Sequence, residues 1–512
     1  MEQKINATGK RPPYGIIAIL MIGAFITFLN NTLLNIALPS IMKDMEVQPS
    51  TVQWLATGFM LVNGILIPAT AFLIQKYSVR RLFLAAMLLF TAGTVLAGTA
   101  EIFPVLLGGR MLQASGSAIM MPLLMNVMLV SFPVEKRGAA MGVFGLILMF
   151  APAIGPTLSG WIIEHYDWRM LFHFITPIAV VVLLIGFFRL KDKKEKLAMR
   201  LDLFSLLLSS IGFGGILYGF SSAGDKGWDS PYVYGSIAIG VISLVIFIIK
   251  QSRQERPMLN FKVYRYPMFA LSSAIAMVVN MALFSGMILL PIYVQTLRGI
   301  SPMDAGLLLL PGAIIMAIMS PITGRLFDKF GGRILAMTGL TITVITTYAF
   351  SKLTLDTTYT HLIILYSVRM LGMSMVMMPV STNGLNQLPA RYYPHGTAMN
   401  NTLNQVAGAI GTALLVTVMS TRTTTHGEEL AAEALQKATS GQPTAASMAE
   451  MKAQIGMQAM LEGINDAFLV ATFIAGVALI LSFFIKRATP SPDPEGAPQT
   501  NEPKATTKLA EN

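Results

Sequence analysis

The chain has 512 residues, 54% of them hydrophobic and only 12% charged, with a mean hydropathy of +0.62. A soluble domain carries about 25% charged residues, so lipid must replace water around most of this surface, and soluble multidomain architectures are excluded. There is no cysteine, which removes disulfides, thiolate metal sites and cysteine nucleophiles, and the net charge of +11 is expected on loops at one membrane face rather than on a nucleic-acid surface.

Lys4, Lys10 and Arg11 precede the first apolar run, 15–38. It is too long for a signal-peptide core and no small-residue cleavage site follows, so it is expected to remain as a first membrane helix. Further runs long enough to cross roughly 30 Å lie at 52–74, 82–99, 103–130, 138–163, 169–188, 202–222, 232–249, 268–295, 305–326, 334–352, 361–382, 397–420 and 466–485. Fourteen spans put both termini on one side. Lys76, Arg80, Arg81, Lys136, Arg137, Arg253 and Arg265 fall on the segments that this topology places inside, while the opposite loops are poorer in Lys and Arg. By the positive-inside rule both termini are cytoplasmic. Residues 421–465 are polar and Ala/Glu-rich and are expected to form short amphipathic helices outside the cell. The segment 489–512, rich in Pro, Glu and Asn, is expected to be a disordered cytoplasmic tail.

Arg110-Met111-Leu112 in the fourth span recurs as Arg369-Met370-Leu371 in the twelfth, and a Met-Met-Pro triplet follows each, at 120–122 and 377–379. The loop Gln75 to Arg81 is echoed by Gly324 to Arg333 at the same offset of roughly 255 residues. The expected plan is therefore two six-helix halves, 1–190 and 266–488, with two further helices inserted at 191–265. Parallel repeats of this kind build carriers whose site lies near the midplane between the halves.

Several residues carry chemistry. Arginine at membrane depth costs on the order of 3 kcal/mol or more, so Arg110 must face the interior and find acceptors; Gln113 lies one turn away, and Asn30 and Asn31 are polar positions in the first span. Arg369 has the sparser company of Gly372 and Ser374. Either arginine could instead serve only to lock helices together. In the fifth span Pro152 and Pro156 each remove a backbone donor, and Ala151, Gly155 and Ser159 form a narrow face for close helix packing, continued by Gly160. Met373 and Met377 offer a soft lining for apolar ligands. No carboxylate lies in the middle of any span; Asp304, Glu164, Asp167 and Asp466 sit near outer helix ends, and His173 one turn inside the sixth span. No metal-ligand cluster and no P-loop is present, so ATP-driven transport and a membrane-embedded enzyme are disfavoured.

Taken together these residues resemble a family. The stretch from Ala151 to Gly160 is similar to the Gly-Pro antiporter motif of major facilitator drug exporters, and Arg110 with Gln113 and Gly116 to their fourth-helix motif. Arg80, Arg81, Gly324, Asp328 and Arg333 lie in loops resembling their cytoplasmic gate motif. Leu29 to Pro39 resembles the first-helix signature of the fourteen-helix drug:proton antiporters, the EmrB/QacA group, and within it the lincomycin-resistance type of exporter. The resemblance spans residues 15 to 487. It implies an all-α major facilitator fold in a bacterial cytoplasmic membrane, exporting hydrophobic or amphipathic drugs by proton antiport, with no cofactor beyond the proton gradient, no nucleic-acid partner, and a monomeric state. The alternative in the same fold is a carrier for one metabolite. Two departures matter: Asn30 stands where the signature usually has an aspartate, and Gln75 where the first gate loop does. The implied first-helix proton carrier is thus absent, which is why the outer carboxylates and His173 become candidate proton sites.

Overall fold

Apolar runs of this length can satisfy their backbone amides in lipid only by coiling into helices or closing into a barrel. The computed structural model describes residues 13–47, 49–52, 54–191, 202–254, 257–437 and 445–489, and every regular element among them is helical. Six helices come first: α1 (Tyr14–Asp44), α2 (Trp54–Lys76), α3 (Val79–Gly98), α4 (Phe103–Ser131), α5 (Arg137–His165) and α6 (Met170–Arg189). Then come α7 (Leu203–Lys226), α8 (Pro231–Arg253), α9 (Pro267–Ile292), α10 (Pro302–Phe330) and α11 (Gly332–Phe350). Last are α12 (Tyr359–Ser374), α13 (Met377–Asn386), α14 (Tyr393–Lys437) and α15 (Ala445–Ser482). Twelve helices among the described residues are long and apolar enough to cross a membrane, and large apolar side chains such as Phe188, Leu203 and Phe473 face outward, as a lipid-facing exterior requires. The chain is a multi-pass membrane protein.

One apolar core joins α1 to α6 and reaches into the start of α9 and α14; a second joins α9 to α13 and α15. The two bodies meet chiefly where α5 lies along α10 and α2 along α14. Helix α7 packs on α2 and α14, with Phe213, Ile216 and Leu217 against Val406, and α8 packs on α7.

Two elements differ from the expected pattern. The twelfth span is broken between α12 and α13 at Met375 and Val376. Pro379 lies four residues after Met375; it has no N–H to close that turn, and its ring opposes the Met375 carbonyl. Thr323 Oγ1 donates to Ser374 O at 3.2 Å beside the break. Pro122, its counterpart, leaves α4 continuous. The second difference concerns 421–465. Instead of separate short helices, the flanking helices continue: α14 has 45 residues and α15 has 38. At 1.5 Å per residue, α14 is about 67 Å long, roughly twice a bilayer core. Lys4, Lys10 and Arg11, residues 438–444, the side chains of Pro152 and Pro156, and the tail from 490 lie outside the described residues.

Candidate functional site

The polar residues of the first body gather around Arg110, which is fully buried. Its Nη1 donates to Gln113 Oε1 at 2.9 Å and its Nη2 to Asn31 Oδ1 at 3.1 Å. Asn30 Nδ2 donates to the same Gln113 oxygen at 3.1 Å, and Gln113 Nε2 donates to Thr94 Oγ1 at 2.8 Å. The Phe59 ring lies 4.4 Å from the guanidinium carbon, a cation–π distance. Helices α1, α3 and α4 are thus tied through one cation with no carboxylate among these partners. Close approach makes this possible: a Cβ on Gly93 would meet the Gly109 carbonyl, so α3 and α4 touch backbone to backbone.

Arg369 occupies the matching place in the second body. It too is fully buried; Nη2 donates to Ala282 O on α9 at 2.8 Å and Nε to Thr347 Oγ1 on α11 at 3.3 Å. Gly286 makes room, since a Cβ there would collide with Arg369 Nη1. Each arginine therefore reaches from the fourth helix of its body to the first, and the third is joined directly by Arg369 and through Gln113 by Arg110.

In α5, Gly155 packs against Thr32 of α1, whose hydroxyl a Cβ would strike. Thr32 Oγ1 donates to Ala151 O at 3.3 Å, and Ser159 Oγ to Leu33 O at 2.7 Å. The antiporter-like stretch thus clamps α5 onto α1 beside Asn30 and Asn31. Gly160 lies beside Met303 of α10. The contact between bodies continues along α5 to its other end, where Gly138, Gly142 and Gly145 lie against Asp328, Gly324 and Ser320 of α10.

That end carries most of the basic loops and is closed. Asp328 Oδ1 accepts from Gly138 N and Oδ2 from Ala139 N, each at 2.9 Å, so a carboxylate of one body caps the helix N-terminus of the other. Arg137 Nη1 donates to Asn386 Oδ1 at 3.2 Å, and Arg487 Nη2 to Asp328 O at 2.7 Å. Arg80 Nη2 donates to Phe187 O at 3.0 Å, within the first body, while Arg81 and Arg333 are exposed. Of the five gate candidates, Gly324 and Asp328 stand at the contact between bodies. A residue the sequence did not single out joins them: His395, 5% exposed at the start of α14, lies 3.2 Å from Gln75 Nε2 of α2, and its Nδ1 accepts from Asn260 N at 3.2 Å.

Above this closure lies a cavity of about 100 Å³ between the bodies, lined by Met121 and Met125 of α4, Phe144 of α5, Asn280 of α9, Met377, Met378 and Ser381 of α13, and Asn400, Asn401 and Asn404 of α14. No charged side chain among the described residues lines it. Asn280 Nδ2 donates to Asn404 Oδ1 at 3.0 Å; Asn400 accepts from Ser273 Oγ at 3.0 Å and donates to Ser381 Oγ at 3.1 Å. Met377 is part of the lining; Met373 is buried in the second core instead. The carboxamides on α14 had a legible signal, three asparagines at 400, 401 and 404 inside an apolar span.

The remaining candidates lie at the opposite end. Asp304 is exposed in the first turn of α10, where Ser301 caps the helix by accepting from Asp304 N at 3.1 Å and donates its hydroxyl to Asp304 Oδ2 at 2.8 Å. Glu164 and His173 are exposed. Asp167 pairs with Arg169 at 3.4 Å, and Arg169 also pairs with Asp44 at 2.9 Å. Hydrogen bonds from Trp168 and Arg169 hold the Asp44 carboxyl below its usual range. Asp466 of α15 is bonded by Arg422 and by His426 of α14, the latter at 3.0 Å, and His426 Nδ1 also lies 3.2 Å from Glu462.

The sequence model described as Major Facilitator Superfamily matches residues 20–412. The chain is 47% identical over 504 residues to the "Uncharacterized MFS-type transporter YhcA" of Bacillus subtilis, covering 94% of this chain and 95% of that protein. It is 42% identical over 491 residues to the "Lincomycin resistance protein LmrB" of the same organism, covering 95% and 98%. Among solved structures, the human organic anion transporter MFSD10 (TETRAN) has a TM-score of 0.62 at 13% identity, over 91% of this chain and 100% of that one, a likeness of fold.

Proposed function

The chain belongs to the major facilitator superfamily, whose members are carriers rather than enzymes, and on that premise we propose that it exports apolar and amphipathic drugs from the cytoplasm by proton antiport. The observation that carries this reading is the uncharged cavity of methionines and asparagines between the two bodies. Flexible thioethers accommodate apolar shapes, while carboxamides offer donors and acceptors without imposing a charge. Likeness to lincomycin resistance proteins supports an antibiotic substrate. At about 100 Å³ the cavity is smaller than the roughly 300–1,000 Å³ of a drug site, so it has to widen to load. Alternating access supplies the widening: the two halves, 1–190 and 266–488, rock about the cavity while the inserted pair α7 and α8 stays outside it.

In this scheme fourteen helices cross the bacterial cytoplasmic membrane as a monomer with both termini inside, so the closed basic end faces the cytoplasm. Asp328 and Gly324 latch that end. Arg110 with Asn30, Asn31 and Gln113, and Arg369 in the other half, hold helices adjoining the cavity. The guanidinium does not give up its proton; these arginines orient the helices and leave proton carriage to another group. Expression in a pump-deficient bacterium tests the reading. Resistance to a lincosamide and to structurally unrelated amphiphiles should rise at least fourfold, and a protonophore should abolish efflux from preloaded cells. Efflux that persists after the proton gradient has collapsed would refute antiport.

A further inference from the structure

We infer that His395 is a proton-binding site whose occupancy opens the closed basic end, which rests on the antiport reading only for the cellular purpose of that proton. The chain offers no carboxylate where the family resemblance would place its carrier, in α1, and Gln75 replaces the other expected acid. His395 is the imidazole that the fold places at the joint between the bodies. It is 5% exposed, Gln75 of the first body lies against its Nε2, and Asn260 of the connecting segment donates its backbone N–H to Nδ1, both at 3.2 Å.

That second bond fixes the protonation state. A ring nitrogen that accepts cannot carry a hydrogen, so in the closed arrangement the ring is neutral with its hydrogen on Nε2, and the Gln75 amide must turn its Oε1 toward that nitrogen to accept it. A proton on Nδ1 would set two N–H groups facing one another and strip Asn260 of its acceptor. Burial opposes a proton as well, since a ring 5% exposed has almost no water to solvate a charge. The elements packed about His395 bear Lys76 on α2, Lys262 and Arg265 on the turn Phe261–Arg265, Arg391 over Tyr392, and Arg137 over the Tyr393 ring. Among the described residues the acids at this end are engaged or exposed: Asp328 is held by two backbone amides, Asp202 by Lys250, and Glu135 is exposed. Closure therefore favours the neutral ring and exposure to water the protonated one. By linkage, whatever state binds the proton more tightly gains population as pH falls. His395 precedes the cavity residue Asn400 by five positions on α14, about 7.5 Å of helix rise, so the proton site and the cavity share one helix and can move together.

The absence of native cysteine permits a direct test. Spin labels are placed at Lys136→Cys and Lys329→Cys, two exposed positions on opposite bodies at this end, in the full chain in lipid nanodiscs. Their distance distribution is recorded from pH 8.5 to 5. The short distance should dominate at high pH, and the long-distance population should grow at least fivefold by pH 5, with a midpoint at or below about 6.5, the ordinary histidine value. His395→Gln, neutral at every pH, should hold the short distance throughout. Gln75→Glu places a counter-charge beside the ring, lets the closed state accept the proton, and should suppress low-pH opening by a different route. A His395→Gln protein that opens like the parent overturns the inference, as does a Gln75→Glu protein with an unchanged response. The antiport reading is judged separately. If the labels respond as stated but a protonophore leaves export intact, the proton site stands and antiport falls. If export needs the gradient while the parent's labels ignore pH, the reverse holds.

Discussion

Arg110 shows what a single buried cation demands. Its two terminal nitrogens serve acceptors on different helices, Asn31 on α1 and Gln113 on α4, and a hydrogen bond to a charged group contributes about 1.5–3 kcal/mol. Lysine keeps the charge but cannot fork. Arg110→Lys should therefore lose at least tenfold in export rate, close to Arg110→Ala, with both proteins still reaching the membrane; rescue by lysine would mean that charge alone matters. This cluster was legible in the sequence because an arginine in an apolar run has few polar residues to reach. His395 was not. It follows Pro389 at what reads as a loop edge, and its partners Gln75 and Asn260 lie 320 and 135 residues away in the chain. His173 is a different case. Helix α6 is apolar on all sides, so periodicity does not say which face a lone histidine takes, and the residue turned out exposed.

Helices α5 and α10 meet through glycine, and the contact leaves no room for a side chain. A Cβ on Gly142 would lie 2.5 Å from the Ser320 carbonyl, a backbone atom that cannot swing aside. Gly142→Val should pry this end open and abolish export of every substrate alike while the membrane level of the protein stays within twofold of the parent. Loss for one drug only would make Gly142 a cavity determinant instead. Gly155, which the sequence pointed to, sits against Thr32 within the first body; Gly155→Leu should also stop export of all substrates, through displacement of α1. The inserted pair has its own staple. Burial pushes the Asp202 carboxyl up, but hydrogen bonds from Lys250, Ser205 and Gln254 outweigh it and hold the group well below the usual carboxylate range. It also caps α7 through Ser205 N at 3.1 Å. Asp202→Ala should cost about 1–2 kcal/mol, the typical loss of a cap. A depressed carboxyl contributes stability above its unfolded pKa near 3.9 and loses it as pH falls through the folded value, so the melting-temperature deficit should be constant from pH 5 to 8. A deficit varying across that window would mean another group is responsible. The break before α13 was not expected from the sequence, although Pro379 marks its place; that Pro122 leaves α4 intact shows that a proline fixes where a helix can part without deciding whether it does.

For the molecule as a whole, hydropathy and loop charge outlined the helices because lipid leaves a chain few other options. Where each helix ends was harder: the polar stretch after residue 420 reads as a loop, yet α14 and α15 continue through it to Lys437 and from Ala445. Reporter fusions after Arg265 and at Gly441 should report cytoplasm and exterior respectively, and an exterior signal at the first would invert the proposed topology. The extension also has a practical side. A 55.5 kDa protein sunk in a detergent micelle gives image-alignment software little to hold, and particles of this kind blur about the membrane normal. Here a helical pair stands off the opposite end from the basic loops, stapled by Arg422, His426 and Asp466. It is an asymmetric landmark already attached to the particle, and an antibody fragment raised against it would serve as a rigid fiducial for electron cryomicroscopy without touching the cavity or the basic end.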